Sequence, residues 1–317
     1  MQGTLKKPLI SSKNRCRKFF KMLYLPRLST HRNELQPAIL WTLYGVCLSL
    51  FAVIVGCSPR TSTAQLSPAT RAEVDGILNT LQARYLLTDS LKITQMAVTI
   101  EEGEQREEIR ESLWYKKSEN DGELLLIQAL GPINEPRAVA IANQDKNQFV
   151  LALLNEERTY HGALSDGALK EIFGVDLRVS DVLSAIFANP FLDGRTDNFT
   201  SVESSGAKFT ITRPGIKEGH VETVTLFVRE GDPRVTEWHI YDKNGVLQQR
   251  ATFSDYRSVG GILRPHKVEI ERPLEQTRVA VKITKIELNV EIKDSKFDPA
   301  PFLSEDFETI PLSELAQ

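Results

Sequence analysis

Apolar residues follow two distributions along this chain, one uninterrupted run near the N-terminus and many short periodic segments after it. Residues 1–36 are polar and basic, and residues 38–56 then contain no charged side chain. At about 1.5 Å per residue, such a run nearly crosses a bilayer as a helix. Beyond about residue 70 the apolar positions recur with helical or strand spacing, which indicates a separate folded domain.

The first periodic segment predicts an amphipathic helix. We place Ser67 as its capping residue and Pro68 in its first turn. Two more helices are predicted in the middle of the chain, over Ser165–Phe173 and Ser180–Phe187. Each has one apolar face that must be buried against another element. The stripe on the first helix comprises Val74, Ile77, Leu78, Leu81 and Tyr85.

The remaining periodic segments predict about eleven strands, from Lys92–Ile100 to Arg278–Val290, joined by short turn clusters. Connections this short favour an antiparallel sheet, and a sheet this large tends to curl. In the last strand the apolar positions change phase near Lys285, which predicts a bulge or a strong twist. We expect an α+β, β-dominated fold, with three helices covering the concave face and pointing into one shared interior.

Charge changes the interpretation of the N-terminus. Residues 1–56 hold nine Lys or Arg and one acid, so the remainder has 30 basic and 41 acidic residues, a net charge of −11. A basic flank before an apolar run stays in the cytoplasm, which is typical of an export segment. The acidic remainder argues against a nucleic-acid partner, because phosphate binding needs a basic face.

The apolar run ends in residues 54–57, Ile-Val-Gly-Cys, which resemble the lipobox of bacterial lipoprotein signals. The resemblance implies that Cys57 carries a lipid, that residues 1–56 are removed, and that residues 57–68 form a flexible tether rich in Ser, Thr and Pro. An uncleaved transmembrane anchor is the alternative, and Met22 is an alternative start. With Cys16 and Cys47 removed, no internal disulfide and no thiolate metal site remain.

Catalytic and metal-binding patterns do not emerge from the sequence. It has no Gly-x-Ser-x-Gly elbow, no phosphate-binding glycine loop and no His-Glu-x-x-His. The four histidines after Cys57 lack ligand spacing and are read as ordinary polar residues of strands or turns. We therefore predict no catalytic residue, no metal and no cofactor.

The order of elements resembles the LolA/LolB superfamily of periplasmic lipoprotein-sorting proteins, in particular its uncharacterised lipoprotein members. The resemblance covers roughly 70–312 and is clearest over 253–265, 285–289, 297–299 and 306–312. It implies a domain over residues 69–317, an unclosed antiparallel β-barrel with a helical lid and a cavity for acyl chains.

The resemblance also assigns candidate residues. Ile133, in the loop 130–136, matches an apolar residue that assists transfer of lipoproteins into the membrane, although Asn134 stands where the family usually has Gly. A plain turn with a partly exposed Ile is the alternative. Candidate cavity residues are Leu183, Ile186 and Phe187 on the lid with Trp114 and Trp238 from the sheet, and their alternative is ordinary core.

Two functions follow as hypotheses. The first is a LolB-like, membrane-anchored protein that binds lipid or lipoprotein acyl chains without catalysis. The second is a structural or regulatory envelope lipoprotein that uses the fold to hold a protein partner; an envelope hydrolase ranks third. Ser58 rather than Asp after the lipidated Cys57 favours the outer membrane, at its periplasmic face.

Replacing Cys57 by Ser tests the lipobox. We expect loss of the lipid and of signal cleavage, because only the thiol accepts the diacylglycerol. Mass spectrometry and membrane fractionation measure both. A Cys57→Ser chain that stays membrane-bound with the same mass as the wild type would show that the apolar run itself is the anchor.

Overall fold

The computed structural model describes residues 67–68, 71–164, 179–196 and 198–314. Within these ranges the chain forms two α-helices and one fifteen-stranded sheet. The helices are α1 (Arg71–Leu86) and α2 (Val179–Phe187), and short 3₁₀ helices span Pro273–Glu275, Asp294–Phe297, Ala300–Phe302 and Leu312–Glu314. The strands are β1 (Ser67–Pro68), β2 (Ser90–Glu102), β3 (Gln105–Ser118), β4 (Gly122–Leu130), β5 (Pro136–Asn143), β6 (Gln148–Leu153), β7 (Arg158–Ala163), β8 (Ser201–Ser205), β9 (Lys208–Pro214), β10 (Val221–Arg229), β11 (Asp232–Tyr241), β12 (Leu247–Val259), β13 (Ile262–Arg272), β14 (Thr277–Leu288) and β15 (Glu308–Pro311).

The sheet consists of two antiparallel meanders, β2–β7 and β8–β14, joined where β14 pairs with β2. It begins at β1 and ends at β15, so it does not close on itself. This confirms the predicted curled, unclosed antiparallel sheet. Among the described residues the strands number fifteen rather than about eleven. Periodicity missed β1, β8 and β15, because segments of two to five mostly polar residues carry little alternation.

Both edges of the sheet are short strands that contain a proline. β1 has two residues and pairs with β8, and β15 has four and pairs in parallel with β7. Pro68 and Pro311 have no N–H to donate to a further strand. Short edge strands with proline limit pairing with another sheet, so the open barrel is protected from edge-to-edge association.

Of two local predictions, the helix start at Ser67 is wrong and the bulge near Lys285 is confirmed. Ser67 and Pro68 do not begin a helix; they pair with Ser204 and Glu203. The sheet therefore includes the last two residues that were assigned to the tether, and α1 begins only at Arg71. The predicted bulge is confirmed, because the register between β14 and β2 shifts on both sides of Lys285.

The concave face holds two apolar clusters rather than the single shared interior that was expected. One lies between α1 and strands β9–β13, and includes Leu78, Leu81 and Trp238. The other lies between α2 and strands β2–β7 and β14, and includes Leu183 and Phe187. Each helix covers one meander, because a sheet of this width exceeds the span of one helix. The helix predicted over 165–173 lies outside the described residues.

One buried arginine connects both helices to the sheet. Arg264 of β13 is 1% exposed, and its Nη2 donates to Thr88 Oγ1 at 2.5 Å and to the Arg84 carbonyl at 3.2 Å. Its Nη1 donates to the Phe187 carbonyl at 3.4 Å, and the guanidinium lies 4.7 Å from the centre of the Phe187 ring. The C-terminal carbonyls of α1 and α2 thus share one cation, which complements both helix dipoles.

A second buried arginine fastens the loop after α2. Arg213 of β9 is 1% exposed and pairs with the buried Glu222 at 2.7 Å and with Asp193 at 3.0 Å. It also donates to the Pro190 carbonyl at 2.7 Å. This network fixes the segment that leaves α2 onto the β8–β14 meander.

Replacing Arg264 by Met should destabilise the fold. The change removes the Arg264 donor from the Phe187 carbonyl and one of two donors from the Arg84 carbonyl, which Thr88 Oγ1 also contacts at 2.8 Å. We therefore expect a loss of about 2–4 kcal/mol in the free energy of unfolding. Chemical denaturation measures it. Arg250→Met is the matched control, because Arg250 lies on the neighbouring strand β12 in an exposed pair with Glu271. Such pairs contribute about 0–1 kcal/mol. Equal losses in both variants would contradict the role of Arg264.

Candidate functional site

The inner face of β2–β7 and β14, under α2, is the candidate site. Alternation along β3 turns Leu113 and Tyr115 inward, and β4 contributes Leu125 from the same face. From the other side, α2 brings Leu183 and Phe187, both buried, and the half-buried Ile186. The site is thus an apolar layer between one helix and a curved sheet.

Phe187 is the centre of an aromatic contact at one end of this layer. Its ring meets Tyr85 of α1 and Tyr115 of β3 edge-on, each at 5.1 Å between centroids. Tyr115 donates a hydrogen bond to Glu123 Oε1 at 2.7 Å. Burial raises the pKa of Glu123 to about 7, with a further rise from the charge of Asp145. This end of the layer is therefore closed by packing and by a hydrogen-bonded polar group.

The rest of the layer is incompletely covered. Several inward apolar side chains keep part of their surface accessible, although they pack against the buried cluster. They include Ile100, Ile127, Ala129, Ala140, Tyr160, Val279 and Val281. In the α1 half a larger share of the inward residues is buried, although Val202, Ile240 and Ile270 are only partly covered. The uncovered apolar surface therefore concentrates in the β2–β7 half.

Glu111 places a carboxyl on this apolar surface. It lies on β3 opposite Met96 of β2 and Ala129 of β4, on the same face as Leu113. Burial alone raises its pKa to about 7. A carboxyl in this environment is stable when it is neutral or when a cation or donor faces it.

A concavity lies on the outer face of the sheet. It has a volume of about 300 Å³ beside the 3₁₀ segment Asp294–Phe297. Its floor is apolar, with Ile141 and Phe297, but its rim carries Asp121, Lys146 and Asp298. A charged, open rim does not suit an acyl chain, so the inner face remains the candidate site. Among the residues described, no group of His, Cys, Asp and Glu is arranged to hold a metal ion.

Comparison with solved structures identifies the fold. A DUF1329 family protein from Desulfovibrio piger matches at a TM-score of 0.56 and 17% identity, over 74% of this chain and 100% of its own. A putative outer membrane lipoprotein-sorting protein domain from Vibrio parahaemolyticus matches at a TM-score of 0.53 and 14% identity, over 72% of this chain and 99% of its own. The chain has a LolA/LolB-like fold.

Weaker matches add no assignment. A LolA superfamily protein from Nitrosomonas europaea reaches a TM-score of 0.47 at 14% identity, over 71% of this chain and 97% of its own, and we draw no conclusion from it. A family model with the description "uncharacterized protein" matches residues 218–302, less than half of the chain. No curated protein matches the chain. Identities this low show a shared LolA/LolB-like fold and leave the function to be argued from the site.

Within the LolA/LolB-like fold, the predicted site residues fall in different places. Leu183, Ile186 and Phe187 lie together on α2, facing the candidate site. Trp238 lies in the other cluster, under α1. Trp114 lies on the outer face of β3, where Lys296 Nζ is 4.4 Å from its ring centre. Neither tryptophan therefore lies in the cluster of Leu183 and Phe187: Trp238 belongs to the α1 half, and Trp114 points to the other face because adjacent positions of a strand point to opposite faces.

Ile133 stands apart from the cavity, at the tip of the β4–β5 turn. It is 84% exposed. Arg110 Nη2 donates to the carbonyls of Gly131 and Pro132, at 2.8 and 2.5 Å, and the Ile133 N–H donates to Glu135 Oε2 at 3.0 Å. Asn134 has φ 65°, a left-handed conformation that Asn tolerates. This explains why Asn can stand where the family usually has Gly.

Cys57 lies outside the described residues, and no described helix is long and apolar enough to span a bilayer.

Sequence reasoning missed Glu111 and Arg264. A Glu between strand residues is ordinary, and an Arg before Pro265 looks like a turn residue. The sequence did contain a signal, because side chains two positions apart in a strand point to the same face. Glu111 lies two residues before the buried Leu113, and Arg264 lies two residues before the buried His266.

Glu111→Gln should change how stability depends on pH. The folded-state pKa of about 7 lies above the ordinary value of 4.5, so the folded state binds the proton more tightly. The free energy of unfolding is then highest at low pH and falls as pH rises from 4.5 to 7. Gln cannot ionise, so the fall should be smaller; it persists in part, because the pKa of Glu123 is raised to a similar value.

Urea denaturation at pH 5 and pH 7.5 measures this slope. Glu108→Gln, on an exposed carboxyl of the same strand, is the control. If wild type and Glu111→Gln lose the same stability between the two pH values, Glu111 does not ionise from a buried position.

Proposed function

We propose that this protein binds the acyl chains of a lipid or lipoprotein in the apolar layer under α2, while a lipid on Cys57 holds it at the periplasmic face of the cell envelope, in the outer membrane. The observation that supports binding is the half-buried apolar surface that includes Ile127, Ala140 and Val279. The LolA/LolB-like fold adds to this, because the Vibrio structure is described as a lipoprotein-sorting domain.

The energetics favour an acyl chain as the ligand. Burying one methylene contributes about 0.8 kcal/mol. Micromolar affinity needs about 8 kcal/mol, so about ten buried methylenes reach it before ordering costs are subtracted. Ordinary membrane acyl chains are longer than this. No catalytic step is needed, and we propose none.

Ile133 is proposed as the residue that leads transfer into the membrane. Its turn is held by Arg110 and Glu135, so the exposed side chain is presented without a large entropic cost. Contact with lipid would remove the exposed side chain of Ile133 from water.

A structural or regulatory envelope lipoprotein is the second candidate. The observation that favours it is the solid packing of the α1 half, where Val74, Val224 and Leu226 are almost completely buried. A domain packed in this way throughout would serve as a scaffold for a protein partner. The two candidates differ in whether lipid accompanies the purified protein.

Ala140→Trp should displace the ligand. Ala140 faces Ile127 and Leu151 on the inner surface, and an indole there fills the space of several methylenes. We expect native mass spectrometry of the membrane-purified protein to detect co-purifying lipid with the wild type and much less with the variant.

Ala280→Trp is the matched control. Ala280 is half-buried on β14 but lies between the inward residues Val279 and Val281, so it points to the other face. It should retain lipid. The circular dichroism spectrum and melting temperature of both variants verify folding, and the milder Ala140→Leu replaces Ala140→Trp if the latter unfolds. Wild-type protein free of lipid, or equal lipid in both variants, would contradict the proposal.

A further inference from the structure

Exposed apolar side chains concentrate at one end of the sheet. Among the described residues, eight large apolar side chains are exposed. Five of them lie in or beside four turns: Ile133 between β4 and β5, Ile216 between β9 and β10, Val221 at the start of β10, Val246 between β11 and β12, and Leu274 between β13 and β14. We call these five residues the apolar rim.

The strand pairing shows that these turns share one end. Val221 pairs with Tyr241, Arg250 with Glu271 and Thr277 with Glu102, which connects the β9–β10, β11–β12 and β13–β14 turns to the end of β2. The β4–β5 turn follows, since Arg110, near the start of β3, pairs with Leu130. The other three exposed apolar side chains lie towards the opposite end. Leu86 and Leu87 lie where Lys117, near the end of β3, donates to the Leu86 carbonyl. Phe227 lies two residues before the end of β10 on that side.

Single exposed apolar residues are normal on a protein surface, but five of them on four turns of one end form a larger collection. The β2–β3 turn, which lies between the β13–β14 and β4–β5 turns, carries Glu104 and no apolar side chain. These turns form no groove. They are separate tips along the end of a curved sheet, which a flat and deformable partner can contact together. Charges on the β9–β10 and β11–β12 turns are balanced, as in Lys217 beside Glu218 and Asp242 beside Lys243. The β2–β3 turn is acidic at Glu102 and Glu104, so this end of the sheet does not select an anionic surface.

The uncovered part of the candidate site reaches the same end. Ile100 of β2, Ala129 of β4 and Val279 of β14 are half-buried, inward-facing, and within two residues of the strand ends that carry this side of the sheet. An acyl chain that leaves the apolar layer at this end therefore passes the apolar rim.

We propose that the apolar rim inserts into the interfacial layer of a zwitterionic lipid bilayer and directs the open end of the acyl-binding layer towards it. This rests on the proposed membrane location. The side chains of Ile133, Val246 and Leu274 enter the boundary between headgroups and acyl chains, while the paired charges of the same turns remain in water. Ligand then moves between bilayer and protein without crossing bulk water.

Tryptophan quenching tests the orientation in the full-length chain, reconstituted in liposomes of phosphatidylcholine with or without brominated acyl chains. Leu274→Trp is compared with Leu87→Trp, because the two leucines are 62% and 63% exposed and lie at opposite ends. The native tryptophans are subtracted with the unmodified protein. We expect Leu274→Trp to lose roughly half of its added emission, because interfacial side chains lie ~5–10 Å deep. Leu87→Trp should lose none.

The proposal that the apolar rim inserts into the bilayer would be contradicted by equal quenching at both positions, by quenching at position 87 alone, or by no quenching at either. Uptake of a fluorescent fatty acid by the same liposome-bound samples is measured in parallel. Uptake without quenching at position 274 overturns the rim and leaves the proposed function standing. Quenching at position 274 without uptake supports the rim and counts against acyl binding.

Discussion

The guanidinium of Arg264 sits where both helices end, and the architecture depends on this contact. It has no carboxylate partner among the described residues. Burial and the charge of Arg84 lower the pKa of Arg264 to about 10, so the group stays charged at neutral pH. Carbonyls of α1 and α2 and the ring of Phe187 replace its water. Such an arrangement is favourable only when both helix ends are present together.

The lengths of the two helices explain how two meanders that share one sheet come to have different interiors. α1, with sixteen residues, lies over β9–β13 and buries a larger share of the inward side chains of its half. α2 has nine residues and covers only part of β2–β7, so inward side chains such as Ile127 and Ala140 remain accessible. The acyl-binding proposal and the solid half are two results of the same constraint, in which short helices cover a wide curved sheet.

The closed end and the open part of the candidate layer differ in how their carboxyl groups are compensated. At the closed end, Tyr115 satisfies Glu123, and Lys117 caps α1 by donating to the Tyr85 carbonyl at 2.7 Å. Along the open part, Glu111 faces apolar neighbours and its carboxyl has a pKa of about 7. A ligand with a donor or a cation near its chain would compensate this carboxyl, whereas a plain acyl chain leaves it neutral. The pH dependence of stability therefore also reports on what the layer accepts.

The sequence by itself determined the elements and the class of fold. The three- and four-residue spacing of Val74, Ile77 and Leu81 defined α1, strict alternation defined the long strands, and the phase change at Lys285 located a real bulge. These features are local, because the period of an element decides which face is buried. The exposed Ile133 was likewise found from its turn and from the resemblance to LolA/LolB.

Only the tertiary structure decided which faces of the strands and helices contact each other. Trp114 and Tyr115 are neighbours in sequence, yet one lies under the C-terminal segment and the other under α2, since successive strand residues point to opposite faces. The separation of Trp238 from Phe187, the burial of Arg264, the half-buried position of Glu111 and the collection of apolar turns at one end all depend on contacts between residues far apart in the chain. Local propensity does not encode such contacts, because their energy exists only once the sheet has curled and both helices have docked.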